Sequence, residues 1–85
     1  MKIYSWEGKN NLIGERLKEM RIKKGLTQQD LASKLELRNI FSSQKKISRI
    51  EAGDRFVSDF ELLAFSEILG VDVMWLLTGK ESNRN

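Results

Sequence analysis

The sequence predicts an all-α domain of five short helices, and three observations predict it. Signatures of a helix start recur along the chain, each a Ser, Thr or Asp set just ahead of an apolar stripe. Gly25, Gly53, Gly70 and Gly79 each follow an apolar-periodic stretch, as left-handed residues that close helices do. No segment alternates in the manner of a strand, and no repeat or low-complexity tract appears.

The first helix, over roughly 12–24, begins near Asn11 and buries Ile13, Leu17 and Met20. The second, 28–36, is announced by Thr27 at the N-cap, Asp30 three residues on, and Leu26 and Leu31 as a hydrophobic staple. Leu31, Ala32 and Leu35 then form its apolar stripe. The third, 44–52, starts after Ser43 or Ser42, whose hydroxyl can accept an orphan backbone N–H. It carries Ile47 and Ile50 inward and turns Gln44, Lys45, Lys46 and Arg49 outward. Ser58 and Glu61 make a capping box for the fourth, 59–69, with Val57 and Leu62 as staple. Asp72 caps the last, 73–78, between Val71 and Leu76.

Composition bounds the function. A chain of 85 residues holds one domain, near the lower limit at which a core stabilises itself without staples. Its organisation reads as an N-terminal arm (1–11), the helical domain (12–79) and a polar tail (80–85). With no Cys there is no disulfide framework or thiolate chemistry, and with no His the commonest general base and metal ligand is missing. No apolar run approaches the roughly 20 residues that span a bilayer, and the N-terminus lacks a signal-peptide core. The expected address is the bacterial cytoplasm.

An enzyme is the weakest reading, and no catalytic residue, cofactor or metal is expected. Glu15, Glu19 and Glu36 read as solvated helix faces, and there is no glycine-rich phosphate loop or metal-ligand cluster. A Ser-Lys pairing of Ser42 or Ser43 with Lys46 is more simply explained by helix capping.

The net charge of +3 is modest, but its distribution is uneven. Between Arg38 and Arg55 five basic residues face only Glu51 and Asp54, whereas Phe56 to Gly79 holds four acids and no Lys or Arg. This predicts one basic face and one acidic, apolar face. A basic face attracts phosphate and releases counterions, so affinity for nucleic acid would fall steeply with salt.

The segments Arg21-Ile-Lys-Lys-Gly-Leu-Thr-Gln, Leu31-Ala, Ile47-Ser-Arg-Ile-Glu-Ala-Gly and Leu69-Gly-Val-Asp-Val-Met-Trp-Leu-Leu-Thr-Gly resemble a family of bacterial and phage regulators. This is the xenobiotic-response-element type, which includes the lambdoid repressors and Cro, and the resemblance covers about Ile13 to Gly79. It implies a five-helix lambda-repressor-like domain in which the second and third helices form a helix-turn-helix that binds double-stranded DNA. The sequence departs from the family in a lengthened turn within Glu36-Leu-Arg-Asn-Ile-Phe-Ser, reminiscent of eukaryotic POU-specific domains. Residues of the insert, Arg38 above all, become candidate DNA contacts.

The resemblance assigns Gln28 to a phosphate at a helix N-terminus, and the two glutamines Gln28 and Gln44 to bracing one another. Gln44 can pair bidentately with adenine N6 and N7. The bland alternative is that both are solvated residues favoured near helix starts. Lys45 and Lys46 can donate to guanine or to phosphate, one facing the groove and the other the backbone. Arg49 lies one turn further on, for a base edge, a phosphate or solvent. Ser43 is expected to cap and to touch phosphate, and Arg55, Lys2 and Lys9 are candidate backbone contacts. By the same resemblance Arg21 pairs with Glu51 as a structural, not catalytic, link that fixes the reading helix; two independent solvated charges are the alternative.

The last two helices carry an apolar surplus for a monomer. Some is core, and some is assigned to cover by Ile3, Tyr4 and Trp6 of the arm. The remainder points to a homodimer through Phe56, Val73, Trp75 and Leu76, which would set two reading helices in successive major grooves about 34 Å apart on a palindromic operator. The functional expectation is a transcriptional repressor. An antitoxin-type autoregulator holding a protein partner on its acidic apolar face is the alternative, and a pure protein-interaction module fits less well.

Overall fold

The computed structural model describes residues 5–81. Its helices are α1 (Gly14–Lys23), α2 (Gln28–Glu36), α3 (Gln44–Glu51), α4 (Asp59–Leu69) and α5 (Val73–Thr78). The architecture is all-α, and the only strand-like pairing among the described residues is an isolated antiparallel bridge between Trp6 and Lys9.

Local chemistry accounts for the helix starts. Both capping boxes form reciprocally: Thr27 Oγ1 accepts from the Asp30 amide at 2.9 Å while Asp30 accepts from the Thr27 amide at 2.9 Å, and Ser58 and Glu61 repeat the arrangement. Ser43, not Ser42, caps α3, its hydroxyl accepting from the Lys46 amide at 3.1 Å. Helix α1 starts two residues later than its apolar spacing predicts. The cause is Asn11, whose Oδ1 accepts the amides of Ile13 and Gly14 at 3.1 and 2.8 Å, so that residues 11–13 form a cap ahead of the helix and Gly14 opens it. Asp72 stands at the N-cap of α5 without a side-chain capping bond. That helix is held at its other end, where the Arg16 guanidinium donates to the carbonyls of Leu76 and Leu77 at 2.8 and 3.0 Å.

The lengthened turn resolves into a defined helix stop. The Ile40 amide donates to Leu35 O and the Asn39 amide to Glu36 O, the paired bonds of a Schellman motif, with Asn39 in the left-handed region at φ 62°. Ile40 then folds back, half-buried, against the core. The rest of the connector stays outside, leaving Leu37 and Phe41 exposed.

The core takes Ile13 and Leu17 from the first helical segment, Leu31, Ala32 and Leu35 from α2, Ile47 and Ile50 from α3, Ala64, Phe65 and Leu69 from α4, and Leu76 from α5. Each fully buried Leu, Ile or Phe contributes on the order of 1.5–3 kcal/mol relative to exposure. Two expectations change here. Leu76, assigned above to a dimer surface, is wholly buried because α5 lays it between the other helices as a core residue. Trp6 does not cover the apolar face; a two-residue turn through Glu7 and Gly8 sends it back toward Lys9 and leaves it exposed. Lys2, Ile3, Tyr4 and residues 82–85 of the tail lie outside the described residues.

The arm nevertheless does structural work through Asn10 and Asn11. Asn11 Nδ2 donates to the carbonyls of Ile50 and Arg55 at 3.0 and 2.8 Å. The Asn10 amide donates to Gly53 O, and its side chain to Asp54 O. One asparagine thus caps the start of α1 and closes the end of α3.

Candidate nucleic-acid interface

Helices α1, α2 and α3 bring four polar side chains into a continuous chain of hydrogen bonds from the core to the surface. Arg21 on α1 and Glu51, the last residue of α3, are both buried and form a two-pronged pair, Nε to Oε2 at 2.6 Å and Nη2 to Oε1 at 3.0 Å. The Glu51 hydrogen bond raises the Arg21 guanidinium pKa further above its ordinary value, outweighing its burial. The remaining reach of Arg21 goes to Leu26 O at 2.8 Å, just ahead of the α2 cap. Glu51 Oε1 also accepts from Gln28 Nε2 at 3.0 Å, and Gln28 Oε1 accepts from Gln44 Nε2 at 2.5 Å.

The chemistry of this chain dictates its direction. An ionised carboxylate only accepts, so Gln28 must present its NH₂ to Glu51 and its oxygen to Gln44. Gln44 must in turn donate to Gln28. Its carbonyl oxygen and one N–H remain for something else, at the exposed first turn of α3.

Around that end the structure gathers Ser43, Lys45, Arg49 and Arg55, which line one shallow groove with Phe41 and Lys46. Lys45 and Arg49 are exposed, and Arg55 is half-buried, with its Nε enclosed and unbonded. Lys9 is elsewhere engaged, in an ion pair with Glu15 at 3.0 Å. That pair also lowers the Glu15 carboxyl pKa.

Two expected contacts are corrected by their partners. The Lys46 side chain does not point outward; it is about nine-tenths buried, its ammonium pairs with Glu61 of α4, and it donates to Phe41 O at 2.6 Å. The reason is position, since Lys46 lies one turn before buried Ile50 at the edge of the inward stripe. Arg38 is turned to α4, where it pairs with Glu67. Two of the five cations that promised a broad basic face are therefore neutralised by acids of α4, and the basic surface narrows to Lys45, Arg49 and Arg55. Glu61, buried beneath this arrangement, is pushed up by burial but held net below its usual value by Lys46 and by the amide and hydroxyl of Ser58.

Asn10, Asn11 and Asn39 were missed as contributors from sequence. Asn11 had one signal, its place at a helix start.

The sequence profile of the helix-turn-helix domain family matches residues 14–82. The chain belongs to that family. Its type is that of the xenobiotic-response-element regulators, which groups it with the lambdoid repressors. Among solved structures it is similar to the P22 c2 repressor in complex with a synthetic operator, with 28% identity, a TM-score of 0.70, and coverage of 82% of this chain and 98% of that one. It is also similar to PlcR of Bacillus thuringiensis in complex with the peptide PapR7 and DNA, with 26% identity and a TM-score of 0.64. That match covers 78% of this chain and 21% of the other, so this chain corresponds to about a fifth of PlcR. No curated protein matches the chain significantly. The helix-turn-helix family is one of DNA-binding transcription regulators rather than enzymes. No helix among the described residues is long and apolar enough to cross a membrane.

Proposed function

We propose that this chain is a transcriptional repressor that binds a palindromic operator in double-stranded DNA as a homodimer, in a bacterial or phage-infected cytoplasm. The observation that carries the reading is the chain of bonds from Arg21 through Glu51 and Gln28 to Gln44. It fixes a glutamine amide at the exposed start of α3 and leaves it one donor and one acceptor. Those are the groups needed to donate to adenine N7 and accept from adenine N6 in the major groove. Gln28, at the start of α2, lies where backbone amides and the macrodipole favour an anion, and anchors a phosphate. Lys45, Arg49, Arg55 and the Ser43 hydroxyl supply the surrounding phosphate and base-edge contacts.

Phe56 and the exposed side of α5, with Met74 between half-buried Val73 and Trp75, are the proposed dimer surface. Large apolar side chains exposed to solvent support an isologous contact. The P22 c2 repressor complex with an operator supports the same role for this chain.

Selection of binding sites from randomised duplex DNA by the purified chain tests the proposal. A palindrome with half-sites about one helical turn apart is expected. Enrichment of an unpaired half-site would overturn the dimer, and enrichment of nothing at low and moderate salt would overturn DNA reading by the chain alone.

A further inference from the structure

We propose that Lys46 is a positioning residue for DNA reading, which sets the pose of the reading helix from inside the protein and makes no contact with DNA. The inference rests on the DNA-binding reading above.

Lys46 belongs to the first turn of α3, where Gln44 and Lys45 before it are exposed. Its ammonium is nevertheless held between two groups that belong to other parts of the fold: the Glu61 carboxylate of α4 and the carbonyl of Phe41 in the lengthened turn. Glu61 in turn accepts from the Ser58 amide at 2.8 Å and thereby forms half of the capping box that starts α4. One side chain consequently ties together the reading helix, the connector that leads into it and α4. Gln28 and Glu51 brace α3 from the side of α2 and α1. Lys46 supplies the second tether, from the side of α4, so rotation of α3 about its own axis is opposed on both flanks. Of these two tethers, the one through Lys46 also reaches the lengthened turn, at the carbonyl of Phe41; Arg38 separately fastens that turn to α4 through Glu67.

The geometry separates this role from the one that a lysine at this position invites. A phosphate contact is a released counterion, and its loss lowers the slope of log affinity against log salt by about 0.9 per contact. An ammonium already paired with a buried carboxylate has no such contribution to lose. Moving the reading helix, by contrast, degrades base contacts and leaves phosphate attraction in place.

The test uses the full chain, with the duplex that the wild type enriches from random DNA and a scrambled duplex of equal length as probes. Lys46→Met is expected to reduce the ratio of selected to scrambled affinity by about 10-fold or more, in the range of a lost base contact, with the salt slope unchanged. Glu61→Gln, which retains an oxygen for the Ser58 amide but has no charge for Lys46, is expected to lower the ratio in the same direction, and Lys46→Arg to recover part of it. The double variant Lys46→Met with Glu61→Gln guards against a simple loss of folding, since it removes both charges together. It is expected to regain thermal stability over the worse single variant without regaining the affinity ratio. A salt slope reduced by about one in Lys46→Met would make Lys46 a phosphate contact and overturn the proposal. Recovery of the ratio along with stability would reduce the pair to a purely structural role and overturn it too. Failure of the wild type to prefer any duplex would instead remove the underlying DNA reading.

Discussion

Gly14 on α1 lies so close to the end of α3 that a Cβ placed on it would sit 2.5 Å from the carbonyl oxygen of Ile50 and 2.8 Å from that of Glu51. The absence of a side chain at the start of one helix is therefore what admits the backbone at the end of the reading helix, whose last residue, Glu51, is the one that pairs with Arg21.

Replacing Gly14 by Ala opposes two effects. Helix propensity favours alanine by roughly 1 kcal/mol, while overpacking against backbone that cannot rotate away costs about 1–3 kcal/mol. The contact is with main chain, so the second effect wins and Gly14→Ala should lower the free energy of unfolding in urea. A stability equal to the wild type or above it would show that α1 can slide away from α3.

Asn11→Ala removes a cap from α1 and at once deprives the carbonyls of Ile50 and Arg55 of a donor. The expected cost is about 1–3 kcal/mol. Hydrogen exchange distinguishes this from a local effect: the amides of Ile13 and Gly14 and those in the last turn of α3 should all lose protection together. Loss confined to α1 would show that the asparagine does not hold the reading helix.

Glu51→Ala leaves the Arg21 guanidinium buried without its carboxylate and should destabilise the domain by roughly 3–5 kcal/mol. It also takes away the acceptor that orients Gln28. Substituting both members of the pair, Arg21→Met with Glu51→Leu, should recover much of the stability, as a thermal melt would show. A single variant that unfolds no earlier than the wild type would mean that water replaces the pair at no cost.

Acid should weaken the fold through Glu61 in a defined direction. Its folded pKa lies below the ordinary 4.5, so it contributes stability that is fully present above that value and is lost as pH falls through the lower folded value. Stability measured against pH should therefore decline below about pH 4.5 less steeply in Glu61→Gln than in the wild type. Parallel curves would assign the acid sensitivity to other carboxylates, such as that of Asp30, which the Thr27 amide and hydroxyl also hold below the usual range.

Gln44→Ala should weaken binding to the selected duplex by about 1–3 kcal/mol and relax preference at one base pair in each half-site. Repeating the site selection with the variant reads this directly. An unchanged preference would transfer the reading to Lys45 or Arg49.

What could be read from the sequence was what depends on near neighbours. The starts of α2 and α4 were legible because a capping box joins residues three apart, and the core stripes because helical spacing sorts Leu31, Leu35, Ile47 and Ile50 onto one side. Lys45 and Lys46 show where this stops. They are adjacent and chemically identical; Lys46 lies at the edge of the inward stripe, and the acid that receives it there, Glu61, belongs to a different helix. Arg38 likewise reads from sequence as a DNA contact, whereas Glu67, on a distant helix, pairs with it. Asn11 carried a local signal for its cap, but its other partners lie 39 and 44 residues away. Asn39 was hidden for a different reason: an asparagine in a polar connector reads as a generic turn residue, and only its left-handed backbone reveals that it ends α2. The pairing of Gln28 with Gln44 and of Arg21 with Glu51 came from family resemblance, since no spacing rule relates positions on different helices.

The directed bonds that run from Glu51 through Gln28 to Gln44 constrain how such a regulator can acquire a new target. A substitution at position 44 that changes the base preference leaves the oxygen of Gln28 without its donor, and one at position 28 frees the amide of Gln44 to rotate. The two positions are thus physically coupled: divergence of operator preference in relatives of this chain should proceed by paired exchanges at 28 and 44, with Glu51 and Arg21 retained as the fixed end on which either pair is built.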